Sequence, residues 1–363
     1  MRNVLSLASV LAIVAASASV PSASRLVPPA VGPSFQSIGP LAFGPDGVLY
    51  AGDKQAATIF ALELGAESAG AMTGTKDVPG IDGQIASLLG TAASEIAITD
   101  LAVHPTSRNT FLSVMRGQGA SAQPALVRVD GAGTLALVAM DTVKFTSVAL
   151  PNPPQANPSA RRDPRTQSIT DLAYANGRLF VAGLSNEEFA SKLWSVAYPF
   201  ANADRGASVE IFHGNHNAVE TRSPVMTFVP HVVGNEPHII AGYTCTPLVK
   251  FPLASLQTGE KVRGTTIAEL GAGNQPLDMV VYRKDGREFL LMTNSSRGVM
   301  KIATDTFANA APITAAVRGT GGVPFETVAS MTGIEQLDLL DATRSIVVMR
   351  GTAGKSLQAV ILP

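Results

Sequence analysis

A short pattern of alternating apolar and polar positions recurs along the chain. In each copy an apolar strand runs into a turn, and a second apolar strand follows. The clearest copy begins at Ser168 and reads SITDLAYANGRLFVAGL. Alternation with a period of two between turn residues predicts antiparallel β-strands. Five further copies begin at Gln36, Ala97, Pro224, Pro276 and Ile334.

One apolar anchor position is common to all the copies. The anchors are Leu41, Leu101, Leu172, Met226, Met279 and Leu337. Their separations of roughly fifty to seventy residues leave room for four strands in each unit. Six such units closing into a ring form a six-bladed β-propeller. We therefore predict an all-β fold with one propeller domain over residues 26–363; a pair of packed sheets whose strands resemble one another by chance is the alternative.

The two ends of the chain suggest how the ring closes. The chain ends on SLQAVILP, which has the pattern of the third strand of the last unit. The segment Leu26–Phe35 precedes the first unit and contains several prolines, which an outermost strand tolerates. We predict that this N-terminal segment closes the ring by pairing with the last blade.

The first eighteen residues have the pattern of a secretory signal. Arg2 precedes the apolar run Val4–Ala15, and the small residues up to Ala18 suit cleavage there. An uncleaved membrane anchor is the alternative, but the run is short for a span. We expect a secreted or periplasmic protein without a transmembrane segment in the mature chain. A net charge of −1 gives no sign of a nucleic-acid partner.

The segment FGPDGVLYAGD (Phe43–Asp53) resembles the repeat signature of NHL, SMP-30/gluconolactonase and YncE-like propellers. The later copies, such as AGYTCTPLVKFPL, are similar to uncharacterised secreted bacterial propellers. The resemblance implies the fold and little more, because propellers of this type include lactonases, lyases, quinoproteins and plain binding modules.

The fold predicts which loops carry function. If the first strand of each unit is innermost, the inter-blade loops and the loops between second and third strands lie on one side, here called the loop-rich face. Loops on a rigid scaffold commonly hold binding residues. One inter-blade segment contains a predicted helix over Asp82–Leu89, with Asp82 as its N-cap.

The loop HGNHNAVETR places His213, His216 and Glu220 within eight residues. In a helical turn, spacings of three and four bring side chains to one side. Two imidazoles and a carboxylate suit zinc or another first-row divalent metal. The alternative is three ordinary surface residues, and the spacing matches no established catalytic motif.

Carboxylates also recur where the inner strands begin. Asp100 and Asp171 each stand in an Ile-Thr-Asp-Leu quartet, and Asp278 follows with an offset of one residue. A ring of carboxylates around a channel can bind a cation such as Ca²⁺. The favoured interpretation is structural, with each Asp accepting backbone N–H groups and joining neighbouring blades.

Charged and reactive residues occupy the predicted loops between second and third strands. Repeated arginines can form an anion site there through bidentate bonds, or can pair with the Asp ring. Cys245 is the only cysteine, so it is either buried and inert or held for chemistry. The candidates are Arg116, Arg297, Arg350, Glu187 and Cys245.

Two functions remain open on these observations. The first is an exported binding or scaffold propeller that takes a small ligand or a protein partner on the loop-rich face. The second is a metal-dependent hydrolase or lactonase of the SMP-30 type, using the same face with a divalent Ca or Zn ion. No motif supports a quinone-cofactor oxidoreductase.

Overall fold

In the part of the chain that the structure describes, turn residues separate many short strands and one α-helix. The computed structural model describes residues 32–68, 77–160, 162–245, 247–352 and 354–363. The predicted signal sequence and the first part of the predicted closing segment lie outside these residues. No helix in the described ranges is long and apolar enough to cross a bilayer.

The described residues form 27 strands. In chain order they are β1 (Leu41–Phe43), β2 (Val48–Asp53), β3 (Thr58–Glu63), β4 (Asp77–Val78), β5 (Ile96–Val103), β6 (Thr110–Arg116), β7 (Gln123–Val129), β8 (Leu135–Leu137), β9 (Lys144–Ala149), β10 (Asp171–Ala175), β11 (Arg178–Leu184), β12 (Ser191–Ala197), β13 (Ala207–His213), β14 (Ala218–Glu220), β15 (Val225–Val233), β16 (Glu236–Tyr243), β17 (Pro247–Pro252), β18 (Lys261–Arg263), β19 (Thr265–Leu270), β20 (Pro276–Lys284), β21 (Arg287–Asn294), β22 (Gly298–Ala303), β23 (Thr320–Gly322), β24 (Glu326–Thr327), β25 (Ile334–Leu339), β26 (Arg344–Gly351) and β27 (Gly354–Ile361). The α-helix α1 spans Ile81–Leu89.

These strands make six sheets, named blades I to VI by the chain order of their first strands. Five are purely antiparallel, and blade III adds one parallel pairing, between β13 and β18. From inner to outer strand they are β1-β2-β3-β9 (I), β5-β6-β7-β8 (II), β10-β11-β12-β13-β14 (III), β15-β16-β17-β19-β23 (IV), β20-β21-β22-β24 (V) and β25-β26-β27-β4 (VI). The six inner strands line a central cavity of about 470 Å³, so the predicted six-bladed propeller is confirmed.

The order of the blades around the ring differs from their order in the chain. Strand β1 of blade I contacts the inner strands of blades II and III, and β25 of blade VI contacts that of blade II. Blade II therefore stands between blades VI and I. The chain leaves blade I after β3, builds blade II, and returns with β9 to complete the outer edge of blade I. Blade II is thus nested within blade I in sequence, because it lies between the third and fourth strands of blade I.

This nesting corrects the predicted ring closure. The outer strand of blade VI is β4, which pairs with β27 through Val78 opposite Leu357. In the described part of the N-terminal segment, residues 32–35 form no strand. The chain passes blade VI on its way from blade I to blade II, and this crossing supplies the strand. The prediction that the last blade ends with its third strand is confirmed, because β27 is that strand.

Six apolar clusters hold the ring together, one at each interface between neighbouring blades. The alternation within strands explains them. In β2, Leu49 faces the interface with blade II, whereas the next residue, Tyr50, faces blade III. Both sides of a blade are therefore apolar. Trp194 is 1% exposed and packs within the cluster of blades I and III.

Two local predictions need correction. Helix α1 forms where it was predicted, but its N-cap is Gly80, and Asp82 accepts the backbone N–H of Gly83. In blade IV the buried anchor is Phe228 rather than Met226. In blades II, V and VI the anchor follows the start of a β-bulge by three residues, and the bulge of blade IV, which starts at Val225, places Phe228 at the same position.

Candidate functional site

The inner-strand carboxylates join neighbouring blades. Oδ1 of Asp171 accepts the N–H of Leu172 in its own strand, and Oδ2 accepts the N–H of Phe228 in blade IV at 2.7 Å. Asp100 does the same for Leu101 and for Leu41 of blade I. These contacts match the structural alternative for the carboxylate ring.

Asp278 follows the same rule. It accepts the N–H groups of Met279 and of Leu337 in blade VI. It stands one residue before its anchor Met279, as Asp100 stands before Leu101, so the two positions are equivalent and the predicted offset is wrong. Asp338, which the sequence analysis missed, lies one residue after its anchor and bonds Leu339 and Val103 of blade II.

Burial perturbs the carboxylates that line the channel, and the closeness of Asp100, Asp171 and Asp278 adds to the effect. Burial raises the pKa of Asp100 to about 8, and the neighbouring Asp171 adds to the rise. Burial and the charge of Asp100 raise the pKa of Asp278 well above its ordinary range. The side-chain amide of Gln336, oriented to suit its neighbours, donates to Asp100 at 3.1 Å and to Asp278 at 3.2 Å. Lys54 is the cation at this mouth of the channel.

The histidine cluster lies on the same face but at the outer edge of blade III. The fourth strand of a blade ends on the side where its first strand begins, because each strand reverses the direction of the one before. His213 ends β13, and a turn leads into β14, which ends at Glu220. The hairpin brings His213 opposite Ala218, so the residues meet through a β-turn and not through the predicted helical turn.

One carboxylate oxygen holds both imidazoles. Oε1 of Glu220 is 3.0 Å from Nδ1 of His213 and 2.6 Å from Nδ1 of His216. The centroids of the two imidazole rings lie 3.8 Å apart. The hydroxyl of Ser223 donates to the other oxygen of Glu220. His213 is 1% exposed and His216 is 50% exposed, so the cluster opens to solvent on one side.

The electrostatics of the cluster favour a cation. Burial alone would raise the pKa of Glu220, but the hydrogen bonds from His213, Ser223 and His216 lower it to about 2. Glu220 is therefore ionised at neutral pH. One ligand atom from each of His213, His216 and Glu220 lies within 4.8 Å of the others, and within the described ranges no second group of His, Cys, Asp and Glu side chains meets this condition.

Sequence analysis missed a second carboxylate beside the histidines. Glu269 in β19 of blade IV is fully buried, and its Oε2 is 3.9 Å from Nε2 of His213. Tyr243 at the end of β16 is also buried, next to Ser191 and within electrostatic reach of Glu220. A charged residue in the otherwise uncharged strand TTIAEL was the available signal.

The three candidate arginines lie on different blades, each with its own partner. Arg116 donates to the carbonyl of Gly90, and Arg297 donates to that of Ala272. Arg350 forms an ion pair with Glu335, which Lys355 also contacts. These contacts are local to each blade and bring no two of the arginines onto one partner.

Glu187 and Cys245 lie in the loops expected for them. Burial would raise the pKa of Glu187, but hydrogen bonds from Lys192, Asn152 and Arg205 lower it below its ordinary value. Lys192 is 1% exposed, so this pair anchors the loop against the blade. Cys245 is half-buried in the turn after β16, and its N–H bonds to the carbonyl of Asn274. It does not belong to the histidine cluster.

Comparison with known proteins identifies no family for this chain. The sequence matches no protein-family model. No curated protein matches it either. Solved structures similar to the chain include an oxidoreductase described as a glucose dehydrogenase from Thermus thermophilus, with 13% identity, a TM-score of 0.36 and coverage of 91% of this chain and 98% of that one. Another is the PQQ-bound aldose sugar dehydrogenase from Streptomyces coelicolor, with 10% identity, a TM-score of 0.30 and coverage of 92% and 96%.

These similarities bear on the predicted resemblance. The coarser expectation, a six-bladed propeller, is confirmed by the six sheets. The finer one, a likeness to NHL, SMP-30 or YncE-like propellers in particular, is not what these structures represent.

Proposed function

We propose that the chain is an exported binding propeller that holds a divalent first-row metal ion, zinc first among them, in the cluster of His213, His216 and Glu220. The observation that carries the proposal is the convergence of both Nδ1 atoms on one oxygen of Glu220. A metal ion at this point takes the place of the hydrogens between the two Nδ1 atoms and Glu220. All three side chains then serve as its ligands. The predicted secretory signal supports export.

The donor set favours zinc over calcium. Two imidazole nitrogens and one carboxylate oxygen are typical zinc ligands, whereas calcium takes six to eight oxygens. The carboxylates of Asp100, Asp171 and Asp278 offer oxygens at the channel, but each already accepts two backbone N–H groups. A calcium ion there would compete with the bonds that join the blades.

The solvent-facing side of the cluster gives the metal a role in binding. Three protein ligands leave a tetrahedral ion one open position. Because His216 is half exposed, that position faces the loop-rich face. A small ligand or a side chain of a protein partner with an oxygen or nitrogen donor can occupy it.

The same open position is the observation that favours a second candidate, a metal-dependent hydrolase. Zinc with two histidines, a glutamate and one water is the ligand set of several hydrolytic sites. The ion would lower the pKa of the water or polarise a carbonyl. Release of product from a lactone or an aryl ester by the zinc-loaded protein, abolished by chelation, separates this candidate from a binding protein.

Isothermal titration calorimetry with zinc chloride tests metal binding. The full chain, first stripped with a chelator, should bind one zinc ion, and His216→Ala should lose that binding while still folding, because this side chain is exposed. His231→Ala is the matched control, since His231 lies in β15 at the opposite end of its blade. An unmodified chain that takes up no zinc, or a His216→Ala variant that binds it as tightly as the unmodified chain, would refute the proposal.

A further inference from the structure

Glu269 is a buried carboxylate without a lysine or arginine partner among the described residues. It is fully buried in β19, and its two oxygens accept the N–H of Gly214 and the side-chain amide of Asn215, each at 2.6 Å. Among the described residues, the basic group within 4.0 Å of it is the imidazole of His213. Removing a carboxylate from water costs several kcal/mol unless it is compensated, so this position calls for a reason.

His213 lies between two carboxylates. Its Nδ1 faces Glu220 at 3.0 Å, and its Nε2 is buried, makes no hydrogen bond and faces Glu269 at 3.9 Å. A neutral imidazole carries a hydrogen on only one nitrogen. If Nδ1 holds it, Nε2 presents a lone pair to a carboxylate, which is unfavourable. If a metal ion occupies Nδ1, the hydrogen moves to Nε2 and points at Glu269.

We propose that Glu269 is a positioning residue for the metal site: it accepts the Nε2 hydrogen of His213 and so directs the metal to Nδ1. This inference rests on the proposed function and adds the mode of binding. Histidine ligands commonly donate their second ring N–H to a carboxylate, which fixes the tautomer and the ring. The metal then binds Nδ1 of both His213 and His216.

Glu269 also fixes the turn that carries the histidines. Its bonds to Gly214 and Asn215 hold the first two residues after His213. Asn215 bonds in turn to the backbone of Gly319, in the segment that runs from blade V along the edge of blade IV. Residues of blades III and IV, together with the segment that arrives from blade V, therefore set the geometry of the metal-binding turn before any metal arrives, which limits the ordering that binding requires.

The variant Glu269→Gln tests the assignment. The amide keeps the size of the side chain and one acceptor oxygen, but it removes the charge that receives the His213 hydrogen. We expect the affinity for zinc to fall about 10- to 100-fold, as for other supporting carboxylates of metal-bound histidines. Glu210→Gln is the matched control, because Glu210 lies in β13 but pairs with the exposed Arg263. It should bind zinc as the unmodified chain does.

A second measurement does not depend on the folding of any variant. Nitrogen-15 NMR of the zinc-loaded unmodified chain should show His213 with its hydrogen on Nε2 and its metal on Nδ1. Coordination through Nε2, or an unchanged zinc affinity in Glu269→Gln, would overturn the role of Glu269 while leaving metal binding intact. If the unmodified chain binds no zinc, both the inference and the proposed function fall.

Discussion

Asp338 of blade VI accepts a hydrogen bond of 2.8 Å from the backbone N–H of Val103 in blade II, 235 residues earlier in the chain. The bond crosses the point where the ring closes. It belongs to the series that Asp171, Asp278 and Asp100 form between other neighbouring blades. At the closure this side chain adds a hydrogen bond between two blades that the chain also links through β4 and α1.

Removing this carboxylate should destabilise the ring. Asp338→Ala leaves the N–H groups of Val103 and Leu339 without their acceptor, which costs about 1–3 kcal/mol for each group that stays buried and unpaired. Urea unfolding measures the change. Asp305→Ala is the control, because Asp305 pairs with Arg287 on the surface and such pairs contribute little. Equal losses in the two variants would contradict a role for Asp338 at the closure.

Strand β4 should contribute to stability although it is two residues long. Val78 is 3% exposed and packs into the cluster that blades II and VI share with α1. Val78→Ala removes two buried methyl groups, and we expect a loss of about 1–3 kcal/mol in the free energy of unfolding. Val232→Ala makes the same change at a site that is 57% exposed and should have almost no effect. If both variants unfold at the same urea concentration as the unmodified chain, β4 does not close the ring.

The channel carboxylates predict a dependence of stability on pH. The pKa of Asp100 rises to about 8 in the folded chain, from an ordinary value of 3.8. Between these values the folded chain keeps a proton that the unfolded chain releases. The stabilisation of the folded chain by this protonated carboxyl group is therefore complete below about pH 4. It is lost as the pH rises to about 8.

Asp100→Asn should remove part of this pH dependence. One proton gives the free energy of unfolding a slope of at most about 1.4 kcal/mol per pH unit. The neighbouring Asp278, whose pKa is also raised, contributes to the same pH dependence. Urea unfolding at pH 5, 6, 7 and 8 measures the slope, with Asp305→Asn as the surface control. A slope that is the same in Asp100→Asn and in the unmodified chain would show that Asp100 titrates in its ordinary range.

The sequence predicts the blades better than it predicts their connections. Alternation in β2 places Leu49 and Tyr50 on opposite sides, and a propeller blade needs two apolar sides, so the repeat is legible. The nesting of blade II within blade I has no such signal. The nesting depends on which blades offer an unpaired edge strand to β4 and to β9. A short edge strand such as Asp77–Val78 has almost no hydrophobic pattern that a sequence could reveal.

The sequence likewise predicts one part of the candidate site and misses another. His213, His216 and Glu220 are near one another in sequence, so their spacing alone suggests a cluster. Glu269 is over fifty residues away from His213 along the chain, and only the packing of blade IV against blade III brings the two together. Asp338 was missed because, relative to its anchor, it lies two positions later on its strand than the Asp of the Ile-Thr-Asp-Leu quartets.

The most direct test of the metal site is an anomalous difference map, measured at the zinc absorption edge, from a crystal of the full chain grown with zinc. We expect one strong peak about 2.0–2.2 Å from Nδ1 of His213, Nδ1 of His216 and an oxygen of Glu220. A crystal of His213→Ala grown in the same way should lack it. A zinc-loaded crystal with no peak between these three side chains, or with its peak at the channel carboxylates instead, would contradict the account.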